Sequence, residues 1–301
     1  MTELTELNRI SIVEIVVYTP ALAIGILLAS RHGFKKASGW LYLILFSLIR
    51  IIGGALDLAS IQQPGNTGLV SATNSLRSAG LSPLILVSVG LLTRVLLGLE
   101  KKTNTILQPR MLQLIQLAVM IGLILSIVGG IKFGNKLSDA TSKKPVDVDA
   151  LRSLSNSTES RIGTALMILG YVALVLATGM LSMQIKSVER GERRLIGAVA
   201  ATLPFILIRI IYAAVATYNT WDPNFHWYVA GPHYYDYMIG MCVVMEMITV
   251  AILEAVGLTL QKLPGDGTKY ERATGYPMTD SNDHQQKPST TPEWVNNGLN
   301  A

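Results

Sequence analysis

Residues 46–55 read Phe-Ser-Leu-Ile-Arg-Ile-Ile-Gly-Gly-Ala, and residues 205–214 read Phe-Ile-Leu-Ile-Arg-Ile-Ile-Tyr-Ala-Ala. The same phrase occurs twice, each time with one arginine, Arg50 or Arg209, inside an apolar run of helical length. An arginine at mid-bilayer depth costs about 2.5 kcal/mol or more on insertion scales, so such residues turn inward toward a partner or a hydrated space. Two of them in one repeated setting imply an all-α, polytopic membrane bundle with a polar centre.

Bulk composition agrees. Only 15% of the 301 residues are charged, against about 25% in soluble domains. The charges are segregated, leaving apolar runs of about 20 residues, enough to cross a hydrocarbon core about 30 Å thick. The net charge of +5 resides in short loops that orient the chain, so it reads as membrane topology and excludes nucleic acid as the expected partner. One cysteine, Cys242, precludes an intramolecular disulfide or a thiolate metal cluster.

Seven transmembrane segments are expected, over residues 10–30, 39–60, 79–98, 111–131, 162–185, 195–217 and 236–260. The first follows Glu3 and Glu6 rather than a basic region, and reads as a retained helix. Arg31, Lys35 and Lys36 follow the first segment, Lys101, Lys102 and Arg110 the third, and Lys186, Arg190, Arg193 and Arg194 the fifth. The opposite short loops, 61–71 and 218–235, contain no lysine or arginine. The asymmetry places the N-terminus outside and the C-terminus in the cytosol. On the outer side, the 132–161 loop carries a sequon, which makes Asn156 a glycosylation candidate. The 218–235 loop is rich in aromatics and reads as an interfacial belt or a lid. Residues 1–263 thus form the membrane domain, and the Gly-, Pro- and Asn-rich 264–301 a disordered cytosolic tail.

In this topology both copies of the phrase run from cytosol to exterior. The repeat is therefore parallel, a 3+1+3 arrangement with the fourth segment between two triplets, and sites in such folds sit at the repeat interface. At about 1.5 Å per residue, Arg50, Arg209 and Glu246 fall at a common central depth. Glu14, Asp57 and Arg77 form a second tier nearer the exterior, with Asp57 about 10 Å along the helix from Arg50. Tyr212 directly follows the second copy of the phrase, where the first copy has Gly53. These seven side chains are the candidate ligand or ion network; the bland reading is an ion-pair lattice that only fixes helix order. Arg94 and Glu254 lie nearer the cytosolic ends, where snorkelling accounts for them. Pro20, Pro83 and Pro204 read as packing kinks or as sources of free backbone carbonyls.

Catalytic constellations are missing. The last segment has no lysine for a retinal Schiff base, and the four histidines offer no zinc triad. No cofactor or metal is expected, and no catalytic residue is assigned.

The phrase Phe46–Gly54, the stretch Gly80-Leu81-Ser82-Pro83-Leu84 with Gly90–Arg94, and Leu203-Pro204-Phe205 through Arg209 and Tyr212 resemble a large fungal family of seven-helix membrane proteins described only as a domain of unknown function. The resemblance spans roughly residues 10–260 and implies an integral membrane protein of a fungus. In size and topology alone the chain also looks like fungal lipid-translocating exporters. Three functions compete: transport or lipid and small-molecule handling through a polar cavity, a seven-helix receptor-like sensor, and an intramembrane enzyme using Glu14, Asp57 or Glu246 as a buried acid. The first is preferred and an enzyme is not. The bilayer and a small-molecule or lipid ligand are the expected partners, in the plasma membrane or an endomembrane.

Overall fold

The structure is a computed structural model that describes residues 5–32, 38–63, 66–100, 107–142, 156–184, 190–219, 222–226 and 231–260. The 264–301 tail lies outside the described residues, as do Trp221, Trp227 and Tyr228 of the aromatic loop. Among the described residues every regular element is helical, and seven helices are long and apolar enough to cross a membrane.

The elements are α1 (Glu6–His32), α2 (Ser38–Ser60), α3 (Thr67–Ala79), α4 (Leu81–Glu100), α5 (Pro109–Ser142), α6 (Thr158–Met183), α7 (Arg190–Tyr218), α8 (Tyr234–Met238) and α9 (Val244–Thr259). A short 3₁₀ turn occupies Pro223–Phe225, and a wide π turn, Ile239–Val243, joins α8 to α9. The outward faces are aliphatic: Val16, Leu114 and Leu169 are each 64–65% exposed. Polar side chains such as Ser11, Glu14, Arg50 and Glu246 lie inside. An exterior of this kind suits acyl chains and would be unstable in water.

Helix α4 is the central pillar. It packs against α2, α5, α6, α7 and α9, and nearly every residue from Ala79 to Leu92 is buried. Around its later half, Leu28, Trp40, Leu91, Leu92 and Leu253 are buried in the main apolar core and make an apolar plug toward the end of the bundle assigned to the cytosol. Gly257 fits there because a Cβ would meet the Trp40 ring at 2.5 Å.

Two expected boundaries move. The third segment begins well before residue 79, because α3 occupies part of the 61–71 loop and runs end to end into α4. Its sequence, TGLVSATNSLRSA, is too polar to register as a span. It is held by an N-cap, with the Asn66 side chain accepting from the Leu69 N–H at 3.3 Å, and by packing against α2 and α5. The fourth segment does not stop at 131: α5 starts on Pro109, a favoured first helical position, and continues to Ser142. The charges that suggested a loop are solvated or paired, Lys132 with Glu159 at the start of α6.

Candidate functional site

The site begins with an interrupted helix. Helix α3 ends at Ala79, Gly80 follows, and Pro83 sits in the first turn of α4, where its missing N–H is tolerated. A helix end leaves its last four carbonyls without intrahelical partners. Here that end lies in the middle of the bundle, and the carbonyl of Arg77 accepts from both repeated arginines. Nη2 of Arg209 donates to it at 3.3 Å and Nη2 of Arg50 at 3.5 Å. The interruption in the third segment therefore supplies a carbonyl ligand. Gly80 is required by proximity and not by conformation, its φ being −59°. A Cβ there would stand 2.5 Å from Arg50 Nη2 and 3.0 Å from its Cζ.

The same two guanidiniums converge on Glu246, in the first turn of α9. Arg209 Nε donates to Oε1 at 2.6 Å, and Arg50 Nη2 pairs with Oε2. Arg50 also reaches Glu14 of α1 at 3.3 Å. Arg77 joins through Glu14 at 3.5 Å and through Ser11, to whose hydroxyl its Nη2 donates at 3.3 Å. Ser11 in turn donates to Asp57 at 2.7 Å. Three basic and three acidic side chains from α1, α2, α3, α7 and α9 thus form one connected network, and none is more than 8% exposed. Phe46 and Tyr212 close its flanks, with the Arg50 Cζ 5.6 Å from the Phe46 ring and the Arg209 Cζ 5.7 Å from that of Tyr212. Such contacts add cation–π attraction where water is excluded.

A cavity of about 110 Å³ runs from this network toward the end assigned as external. Its floor is Arg77, Arg209 and Cys242, its walls include Tyr212, Tyr234 and Met238, and its mouth is formed by Asn156, Phe225 and His226. Arg77, Arg209 and Tyr212 face this space, whereas Arg50, Asp57, Glu14 and Glu246 stand behind them and do not line it. A much smaller gap lies between Glu14, Arg50 and Arg77. Asn156 is occupied structurally: its Nδ2 donates to the carbonyls of Ala216 and Thr217 at 2.9 and 3.1 Å, capping the end of α7.

The aromatic loop folds over the mouth. Phe225 stacks on Tyr237 with ring centres 5.1 Å apart and leans on Tyr212 at 5.7 Å. His226 is buried, and burial pushes its imidazole below the usual range despite the nearby Asp222. A carbonyl can only accept, so the 2.7 Å contact to the carbonyl of Asn219 puts the proton on Nε2. This segment is a hydrogen-bonded cover.

Sequence reasoning missed Ser11, Tyr234 and the role of Cys242. Ser11 is three residues before Glu14, so a helical wheel puts both on one face. Cys242 is four before Glu246, and its Sγ lies 3.7 Å from Oε1. That spacing was readable, but the wide turn that aims the thiol at the cavity was not.

Among the described residues no cluster of three or more His, Cys, Asp or Glu side chains could hold a metal. No curated protein and no solved structure matches the chain. A family model does match, over residues 4–263, nearly all of the helical part. The chain belongs to the DUF7702 family, a domain of unknown function.

Proposed function

We propose that the protein is a multi-pass membrane protein that handles a small polar molecule or a lipid headgroup, of the transport type, through the cavity above Arg77 and Arg209. One observation carries this reading. Within a bundle that has a large apolar core, a cavity of about 110 Å³ lined by polar and apolar side chains alike descends to two buried arginines, while Trp40, Leu91, Leu92 and Leu253 are buried in the apolar core toward the opposite end. A bundle needing only an ion-pair brace has no use for such a space, because unfilled volume forfeits contacts. Space for water beside buried arginines is what a ligand pathway requires.

The architecture suits this role. With the basic loops in the cytosol the cavity faces outward, the plug inward, and opening the plug would complete a passage. A parallel repeat supplies two pivoting triplets, each bringing one arginine to Glu246, and the likeness to lipid-translocating exporters in size and topology points the same way. A fungal plasma membrane or endomembrane fits equally. An enzyme is disfavoured because Glu14, Asp57 and Glu246 do not face the cavity and could not meet a substrate there. A cavity of this kind also suits a sensor, and the measurement below separates the two.

Cells lacking the protein, and cells carrying Arg209→Ala at equal protein level, should show the same shifts in small-molecule or lipid content across the membrane. If the substituted cells match the natural protein in both uptake and efflux profiles, the transport reading fails. A changed signalling output with unchanged profiles would transfer the cavity to a sensor.

A further inference from the structure

Resting on that reading, we propose that the cavity is a binding site for a small, singly charged oxyanion, a carboxylate or phosphate group, held by Arg77 and Arg209. The lining contains these two arginines and no aspartate or glutamate. The carboxylates that balance them lie behind the floor, so an entering ligand meets two guanidiniums and no carboxylate in the lining. Arg77 is 8% exposed. Its Nη2 is occupied by Ser11 and Glu14, but its Nη1 is buried with no hydrogen-bond partner among the described residues. A buried guanidinium N–H left unpaired is costly, and a charged oxygen is its strongest partner. The phenols of Tyr212 and Tyr234, also in the wall, can donate to the same group.

Volume and charge narrow the class. A cavity of about 150 Å³ takes benzene, so about 110 Å³ limits the ligand to a compact anion or the charged end of a longer one. The network behind the floor already balances three basic side chains against three acidic ones. It has no surplus charge to hold a polyanion in so dry a setting.

Cys242, the single cysteine of the chain, lies in the floor and serves as reporter. The full chain in lipid nanodiscs would be reacted with neutral methyl, anionic sulfonatoethyl and cationic trimethylammonioethyl methanethiosulfonates, each rate divided by that for free cysteine. Electrostatic focusing should make the anionic reagent about tenfold or more faster than the cationic one. Acetate or inorganic phosphate should slow the neutral reagent, and protection by a phosphatidic acid bilayer but by neither free ion would identify a lipid headgroup as the source. Arg77→Gln should abolish both preference and protection, while Arg77→Lys retains part of each. Equal or cation-favoured rates, or no protection from any of the three anions, would overturn the oxyanion assignment while leaving the cavity intact. If even the neutral reagent fails to modify Cys242, no water-open cavity exists and the ligand-handling reading falls as well. Should Arg77→Gln not fold, the rates and protection of the natural chain decide alone.

Discussion

Glu246 is the residue on which most depends, because two guanidiniums from separate helices share its carboxylate. Arg50 has a second carboxylate in Glu14. Among the described residues Arg209 has an ion pair only with Glu246. Removing one member of a buried pair leaves the other uncompensated, at a cost of about 3–5 kcal/mol, whereas removing both can be close to neutral. Glu246→Gln should therefore destabilise the purified protein strongly, and Glu246→Gln combined with Arg209→Gln should recover part of the loss. The check is a double-mutant cycle on denaturant unfolding in detergent, where contacting residues couple by about 0.5–3 kcal/mol. Additive losses would mean that the two side chains do not share a bond in the folded protein. Much of this pairing was legible beforehand, since depth along a helix follows from counting residues. The role of Arg77 was not, because its importance lies partly in its backbone carbonyl, which carries no side-chain signature.

At the level of elements, the break between α3 and α4 decides the geometry of the site. Glycine is normally replaced by alanine with a gain of about 1 kcal/mol inside a helix, and Gly80 has ordinary right-handed dihedrals. Propensity alone would make Gly80→Ala stabilising. Packing predicts the reverse, because the added carbon would stand 2.5 Å from Arg50 Nη2, and that guanidinium is already fixed by Glu14, Glu246 and the Arg77 carbonyl. Forcing it aside belongs with overpacking, which costs about 1–3 kcal/mol. Gly197→Ala is the control, since a Cβ there meets nothing within 4 Å. In thermal unfolding, Gly80→Ala should fall below the natural protein and Gly197→Ala should equal or exceed it. Parallel behaviour of the two would show that Arg50 does not rest on Gly80. The seven apolar segments were readable because apolar length alone reports a span, but α3 was not. Its serines, threonines and Asn74 lower its hydropathy, and it is retained by packing against α2 and α5. The extension of α5 was hidden for the same reason, its lysines at 132 and 136 resembling a loop until Glu159 is seen opposite one of them.

At the scale of the whole molecule, polarity is arranged along the bundle axis as well as inside to outside. Toward one end the core is an apolar plug around Trp40 and Leu253, and the other holds the cavity with its cover of Phe225 and His226. In the sequence, the connections after the first, third and fifth spans carry Lys35, Lys36, Lys101, Lys102 and Lys186, while residues 61–66 and 219–233 include neither lysine nor arginine. Basic loops are retained on the cytosolic side during insertion, so the cavity should open away from the cytosol. An epitope placed after Lys102 should be detected only once the membrane is permeabilised, and one placed between Gln63 and Asn66 should be detected on the intact membrane. The pattern also fixes which side must supply the ligand, since an impermeant thiol reagent should reach Cys242 only from the side that exposes the second epitope. Detection of the Lys102 epitope on intact membranes would reverse the orientation and turn the cavity to the cytosol. Its ligand would then come from metabolism within the cell, and the plug, not the aromatic cover, would be the barrier facing outward.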